Sequence, residues 1–281
     1  MKTGLVLEGG GMRGLFTEGV LDVMLEQGIT VDGIIGVSAG ALFGCNFKSH
    51  QPERALRYNL RFKNDPRYMS IRSLITTGNF VNAKFAYHTV PLELDVFDDD
   101  TFRADPAKFY LVCTDIVTGE PVYHEIDSIN DTSLEWFRAT GSMPIVSTPV
   151  NIDGKKMLDG GIVDCIPLQY FQSIGYEKNI VILTQPKGYQ KKPNKLGALC
   201  RLRHPNYPMV AKKMNSRHKM YNAQLEFVHQ QAKQGNTLVI CPDYPLDIGR
   251  TEQGEEKMHN VYNHGKEKAK AMIEEIKQFC K

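Results

Sequence analysis

The chain has 281 residues, 42% of them hydrophobic and 23% charged, with a net charge of +2. That is an ordinary globular mix, long enough for one large or two small domains, and the near-neutral balance argues for no particular partner. No apolar run approaches the ~20 residues of a membrane span, and the first eight residues hold too short an apolar stretch for a signal peptide.

In chain order, residues 3 to 8 read as a short strand. Gly9-Gly10-Gly11-Met12-Arg13-Gly14 follows at once, and Leu15 to Gln27 reads as a helix closed by Gly28. On that helix Leu15, Phe16, Val20, Val23 and Met24 are expected to be buried. Glu18, Asp22 and Glu26, four apart, are expected to line a solvent face. Ile34, Ile35 and Val37 read as a buried strand that runs into a helix through Gly36-Val37-Ser38-Ala39-Gly40. Strand, glycine turn, helix, strand, serine turn, helix is a βαβ-type start to a parallel sheet. The strand-to-helix turns of such a sheet share one edge, where ligands bind, so the glycine turn and the serine turn are expected to be neighbours.

Residues 52 to 64 look helical, and 66 to 105 carry no clear period. Asp95, Asp98, Asp99, Asp100 and Asp105 make an acidic stretch that reads as a solvated loop rather than a metal site. Phe109 to Thr114 and Glu120 to Glu125 read as a hairpin across Thr118-Gly119. Ser133 to Thr140 reads as a helix. Val150 to Leu158 is a second hairpin, and it delivers Asp159-Gly160-Gly161. A helix over Pro167 to Gly175 and a strand over Asn179 to Thr184 follow. Lys187 to Lys219 then holds ten Lys or Arg and no acid. The last elements are a helix over Val210 to Gln234, a strand over Thr237 to Cys241 and a helix over Glu255 to Phe279. In the first of these, Val210, Met214, Tyr221, Leu225 and Val228 form one apolar face. No repeat or linker composition divides the chain, so a single domain over residues 1–281 is expected. The six cysteines (Cys45, Cys113, Cys165, Cys200, Cys241, Cys280) form no Cys-x-x-Cys pair and no zinc spacing, and read as reduced fillers in the cytosol.

The chemistry centres on Ser38. Gly36-x-Ser38-x-Gly40 is the nucleophile-elbow pattern, a tight strand-to-helix turn that lifts a serine Oγ out of the sheet. A serine hydroxyl needs a base. None of the eight histidines sits in a recognisable turn context, and a single preceding strand argues against the α/β-hydrolase fold. Asp159, at a strand end and followed by two glycines, is the other candidate base, because partial burial raises a carboxylate's pKa. Gly9, Gly10, Gly11 and Gly14 expose backbone N–H groups at a helix start, which suits an oxyanion hole, and Arg13 adds a cation or orients the loop. Gly9-x-Gly11-x-x-Gly14 also fits a dinucleotide fingerprint. The acidic residue that fingerprint expects at the end of the second strand is displaced by Val37-Ser38, and no Gly-Lys-Ser/Thr marks a P-loop.

These three motifs, in this order, resemble the patatin-like phospholipases, and Ala139-Thr140-Gly141-Ser142-Met143-Pro144 resembles that family's segment before its last catalytic strand. The resemblance covers roughly residues 3–185. The basic, helical extension over about 186–281 departs from the plant patatins and is similar to one in bacterial members. The resemblance implies a three-layer α/β/α sandwich with a central, mostly parallel sheet. It implies a lipid acyl-ester hydrolase using a Ser-Asp dyad through an acyl-enzyme, with no cofactor and no metal. Carried over, Ser38 is the nucleophile and Asp159 the general base. The Gly10–Gly11 backbone with Arg13 is the oxyanion hole, and Gly36, Gly40, Gly160 and Gly161 shape the turns. An acyltransferase or thioesterase would share this mechanism, and a non-catalytic lipid- or nucleotide-binding module would keep the loops without it. The expected partners are a lipid or acyl ester and no nucleic acid. The expected location is cytoplasmic, with peripheral contact to anionic membrane through Lys187–Lys219, where Leu196, Leu199, Leu202, Tyr207 and Met209 intersperse the cations.

Overall fold

A computed structural model describes residues 1–281. The chain opens with β1 (Thr3–Leu7), α1 (Gly14–Glu26), β2 (Gly33–Val37), α2 (Ala39–Lys48) and α3 (Arg54–Phe62). There follow α4 (Ile71–Thr77), a wide helical coil over Phe85–Leu94, α5 (Asp99–Ala104), β3 (Lys108–Asp115), β4 (Glu120–Ile126), α6 (Asp131–Thr140), β5 (Val150–Ile152) and β6 (Lys155–Asp159). The remainder is α7 (Leu168–Ser173), β7 (Lys178–Ile182), α8 (Leu196–Arg203), α9 (Pro208–Lys233), β8 (Thr237–Ile240) and α10 (Glu255–Cys280).

All eight strands join one sheet, in the order β5-β6-β3-β2-β1-β7-β8, with β4 also on β3. The pairs β3–β2, β2–β1, β1–β7 and β7–β8 are parallel; β4, β5 and β6 are antiparallel to their neighbours. Successive side chains of a strand point to opposite faces. Leu5, Leu7 and Ile34 therefore enter one core with residues of α1, α2 and α10, and Val6, Ile35 and Val37 enter another with residues of α7 and α9. The result is the expected three-layer α/β/α sandwich. The C-terminal region is woven into it: β8 extends the sheet beyond β7, and α10 lies along α1. The stripe Val210, Met214, Tyr221, Leu225 and Val228 on α9 is buried as its spacing predicts. No helix is long and apolar enough to cross a membrane.

Two expectations need correction. Glu18 and Asp22 do not face solvent; they are 1% and 2% exposed. Glu18 accepts the N–H groups of Ala55 (2.5 Å) and Leu56 (2.8 Å), and Asp22 accepts those of Glu53 (2.8 Å) and the Tyr262 hydroxyl (2.7 Å). Carboxylates thus satisfy the unpaired N–H groups at the start of α3, where the helix dipole favours negative charge. Burial pushes the Glu18 carboxyl well above its ordinary value and Asp22 up to about 6. The acidic stretch, for its part, is only partly a solvated loop. Asp95 is buried against Arg54 and Arg57, Asp98 caps α5, Asp99 accepts the N–H of Ile129, and Asp105 meets Lys48 and His50.

Candidate active site

β2 stops at Val37, and Ser38 turns the chain with φ 54° and ψ −126° before α2 begins. The flanking glycines are steric necessities. A Cβ at Gly40 would stand 2.5 Å from the carbonyl oxygen of Leu7, and one at Gly36 would stand 2.5 Å from the Ala41 nitrogen. The strained serine is held from behind: its N–H donates to Thr140 Oγ1 at 2.9 Å, and Thr140 Oγ1 donates to the Val112 carbonyl at 2.7 Å.

Sheet register brings the carboxylate. On β3, Val112 pairs with Val37, and the next residue, Cys113, pairs with Asp159. Since β4 occupies the other edge of β3, β6 continues the line of β2 from the opposite direction, and the two strands meet end to end. Ser38 Oγ donates to Asp159 Oδ2 at 2.7 Å, and Asp159 Oδ1 accepts the Gly161 N–H at 2.7 Å. The Asp159 backbone is also fixed, its N–H on the Ser142 carbonyl (2.9 Å) and its carbonyl taking the Thr114 hydroxyl (2.8 Å). Burial holds the Asp159 carboxyl above its ordinary value; the bonds from Ser38 and Gly161 and the charges of Arg217 and Arg250 oppose that without cancelling it.

The glycine loop lies against this pair. A Cβ at Gly9 would stand 3.0 Å from Ser38 Cβ, so the two turns are the neighbours the βαβ reading expects. The N–H groups of Gly9, Gly10 and Gly11 donate to no acceptor within the protein, whereas that of Met12 donates to the Arg250 carbonyl at 3.0 Å. Arg13 joins the lining of a polar cavity here, its Nε buried without a partner. Gly14 does not reach this cavity; it starts α1 packed on Phe43 and Ala39. Gly160 crosses close over the Val112 carbonyl, where a Cβ would stand 2.3 Å away.

Ser38 borders two cavities of opposite character. One has 25 lining residues, 17 of them hydrophobic, including Leu42, Phe43, Tyr87 and Val90. The other has only 3 hydrophobic residues among 14 and holds Glu8, Asp159, Lys191, Arg217 and Arg250. No histidine lines either. Sequence reasoning missed several of these groups. Arg217 falls on the apolar stripe of α9, between Met214 and Tyr221, and a lone cation on a buried stripe is a signal that could have found it. Lys191 belongs to the basic stretch Lys187–Lys219, which reads as a membrane contact and not as part of the site; Arg250 lies in a loop with no local mark, and Tyr87 and Val90 fall in the segment that showed no period.

The site of this α/β sandwich is thus a serine on a strand-to-helix turn, hydrogen-bonded to a carboxylate at the end of the strand that meets it. The chain belongs to the patatin-like phospholipase family, whose model matches residues 5–171. A second family model, described as a domain of unknown function (DUF6363), matches residues 207–281. Among curated proteins, the chain is 28% identical to the uncharacterized protein YjjU of Escherichia coli over 66% of its own length and 52% of that protein's. It is 28% identical to lysophospholipase nte1 of Aspergillus fumigatus over 61% of its length and 11% of that protein's. It thus spans about half of one relative and a small part of the other. Among solved structures, VipD from Legionella pneumophila aligns with a TM-score of 0.49 at 11% identity, covering 98% of this chain and 67% of that one.

Proposed function

We propose that the chain hydrolyses lipid acyl esters, with Ser38 as nucleophile and Asp159 as general base. One observation carries the reading: the 2.7 Å bond from Ser38 Oγ to Asp159 Oδ2, placed where an apolar and a polar cavity meet. The acyl chain occupies the apolar cavity. Asp159 takes the Oγ proton as Oγ attacks the ester carbonyl, and the free N–H groups of Gly9–Gly11 receive the oxyanion. The intermediate collapses by breaking the ester C–O bond; the departing alkoxide takes the proton from Asp159 and leaves an acyl group on Ser38. Water, deprotonated by the same carboxylate, attacks that acyl group; the bond from the acyl carbon to Ser38 Oγ breaks, Oγ takes the proton back from Asp159, and the fatty acid is released. A fluorophosphonate probe is expected to label the wild type at Ser38, with loss of labelling in Ser38→Ala. Absence of labelling in folded wild-type protein would sink the reading.

The membrane contact expected of Lys187–Lys219 takes a narrower form. Leu196 and Tyr207 pack inward, Met209 lies against Gly119, and Arg217 turns into the site. Leu202 on α8 is 80% exposed, and Ile71 and Ile75 on α4 are 70% and 78% exposed. Arg203 Nη2 donates to the Gly78 carbonyl at 2.8 Å and joins the two helices. The chain segments on either side of α4 supply Met69 and Val81 to the apolar cavity. We propose that α4 and α8 together dip into an anionic lipid surface, with Arg72, Arg201 and Lys195 at the headgroups. Binding to anionic vesicles is expected to weaken as salt rises and to fall in Ile75→Asp/Leu202→Asp. Equal binding to neutral and anionic vesicles, or no loss in the double variant, would refute this.

A further inference from the structure

The polar cavity beside Ser38 holds more positive charge than its own carboxylates answer. Arg13, Lys191, Arg217 and Arg250 line it with Glu8 and Asp159. Both carboxylates are already engaged elsewhere. The oxygens of Glu8 accept the Thr184 N–H (2.6 Å) and the Tyr221 hydroxyl (2.7 Å), and those of Asp159 accept Ser38 and Gly161. Arg217 spends Nε on the Gly161 carbonyl and turns Nη2 to Cys165 Sγ at 3.1 Å. A Cβ built on Gly161 would stand 3.1 Å from Asp159 Oδ1 and 3.4 Å from Arg217 Nη2, which puts this guanidinium next to the base.

The other cations are held in place without being neutralised. The Asn222 side chain accepts the Lys191 N–H (2.8 Å) and donates to the Lys191 carbonyl (3.0 Å), and the ammonium stands 4.3 Å over the Tyr221 ring. Arg250 anchors the glycine loop through its carbonyl and keeps an exposed side chain where the two cavities meet. The crowding registers in the titration of Lys191: burial, followed by the charge of Arg217, pushes its ammonium down to about 8. A bound anion would relieve both the repulsion and the missing partners. The Arg250 guanidinium, the remaining Nη1 of Arg217 and the Lys191 ammonium together match an anion with several oxygens arranged around one centre.

We propose that Lys191, Arg217 and Arg250 form a phosphate subsite for the leaving alcohol, so that the chain prefers acyl esters whose alcohol ends in a compact phosphate over neutral or zwitterionic ones. The inference rests on Ser38 attacking an ester, as proposed above. The geometry suits a substrate that spans Ser38, its acyl chain in the apolar cavity and its phosphate in the polar one. A zwitterionic headgroup would bring a second positive charge toward the cluster. All three cations lie beyond residue 171, outside the patatin-like match, and Arg217 and Arg250 fall within the second matched region. The C-terminal extension therefore supplies the selectivity, while the motif core supplies the nucleophile.

The test compares three esters with one acyl chain: 1-acylglycerol 3-phosphate, 1-acylglycerol and 1-acylglycerophosphocholine. Wild type is expected to favour the first in kcat/KM by about tenfold or more, the effect of a charge-assisted contact. Arg250→Gln and Lys191→Gln are each expected to reduce that preference about tenfold with Tm unchanged. Calorimetry on Ser38→Ala protein is expected to show glycerol 3-phosphate binding that Arg250→Gln weakens. Equal turnover of the three esters, or an unchanged preference in both variants, overturns the subsite. Binding of inorganic phosphate to Ser38→Ala without any preference among the esters overturns its role for the leaving group and makes it a site for free phosphate. Glycerol 3-phosphate binding through Arg250, with no ester hydrolysed by wild type, upholds the phosphate site while the hydrolase reading falls.

Discussion

Ser38→Ala and Ser38→Gly are both expected to lose ester turnover, by on the order of 10⁴- to 10⁶-fold, since removal of a nucleophile leaves only binding and oxyanion stabilisation. The two variants should differ in stability. Both lose the bond to Asp159, so that loss cancels in the comparison. What remains is the backbone: φ 54° and ψ −126° crowd any Cβ but suit glycine. Strain of this kind costs roughly 1–3 kcal/mol, offset in part by the greater freedom glycine gives the unfolded chain. The glycine variant is expected to be the more stable by about 1 kcal/mol, a rise of roughly 2–4 °C in Tm over alanine. Equal melting of the two would mean that the elbow stores no strain. Turnover surviving in either would remove Ser38 from the mechanism. The strain has a use: the sharp turn pushes Oγ clear of the sheet and leaves it beside the glycine loop, where a relaxed serine would lie along the strand.

What was legible in the sequence follows the length scale of each feature. The elbow, the glycine loop and Asp159-Gly160-Gly161 are short contiguous runs in which close backbone approach demands glycine, so the demand is written locally. Adjacency of the first two follows from parallel-sheet geometry. The end-to-end meeting of β2 and β6 does not; it depends on β4 taking the far edge of β3, a pairing that only the whole sheet fixes. Glu18 and Asp22 mimic a solvent stripe by their spacing, and only the arrival of α3 and α10 turns that stripe inward. Thr140, which steadies the serine N–H, sits in a resembling segment but carries no mark of its role. Apart from Arg13 of the glycine loop, the cations of the polar cavity come from a loop, a helix and another loop spread over 60 residues. Arg217 left a trace as a charge on an apolar stripe and Lys191 as part of a basic stretch, but neither trace points to the site.

Asp159→Asn is the second large effect. Loss of a general base costs about 10²- to 10⁴-fold in kcat/KM. Geometry makes the change clean. The asparagine carbonyl can keep the Gly161 N–H, but its amide then points at Ser38 Oγ and donates a hydrogen bond where a carboxylate accepted one. The nucleophile's lone pair is engaged and its proton has nowhere to go. Because burial raises the Asp159 carboxyl above its ordinary value near 3.8, activity of the wild type should fall on the acid side through that raised value. An acid limb that persists unchanged in Asp159→Asn, or that falls only at the ordinary carboxylate value, would assign the base elsewhere. Stability should move in the opposite sense. A carboxyl that binds its proton more tightly in the folded state stabilises the fold below its unfolded pKa and loses that contribution as pH rises through the folded one. At neutral pH the wild type thus carries a buried charge that asparagine lacks, so the variant should melt no lower than wild type. As pH falls through the window between the raised and the ordinary value, wild type should gain relative to the variant. A dead enzyme that is equally or more stable at neutral pH is the combination expected of a residue kept for proton transfer, whereas a marked loss of stability there would make Asp159 a structural support for the turn instead.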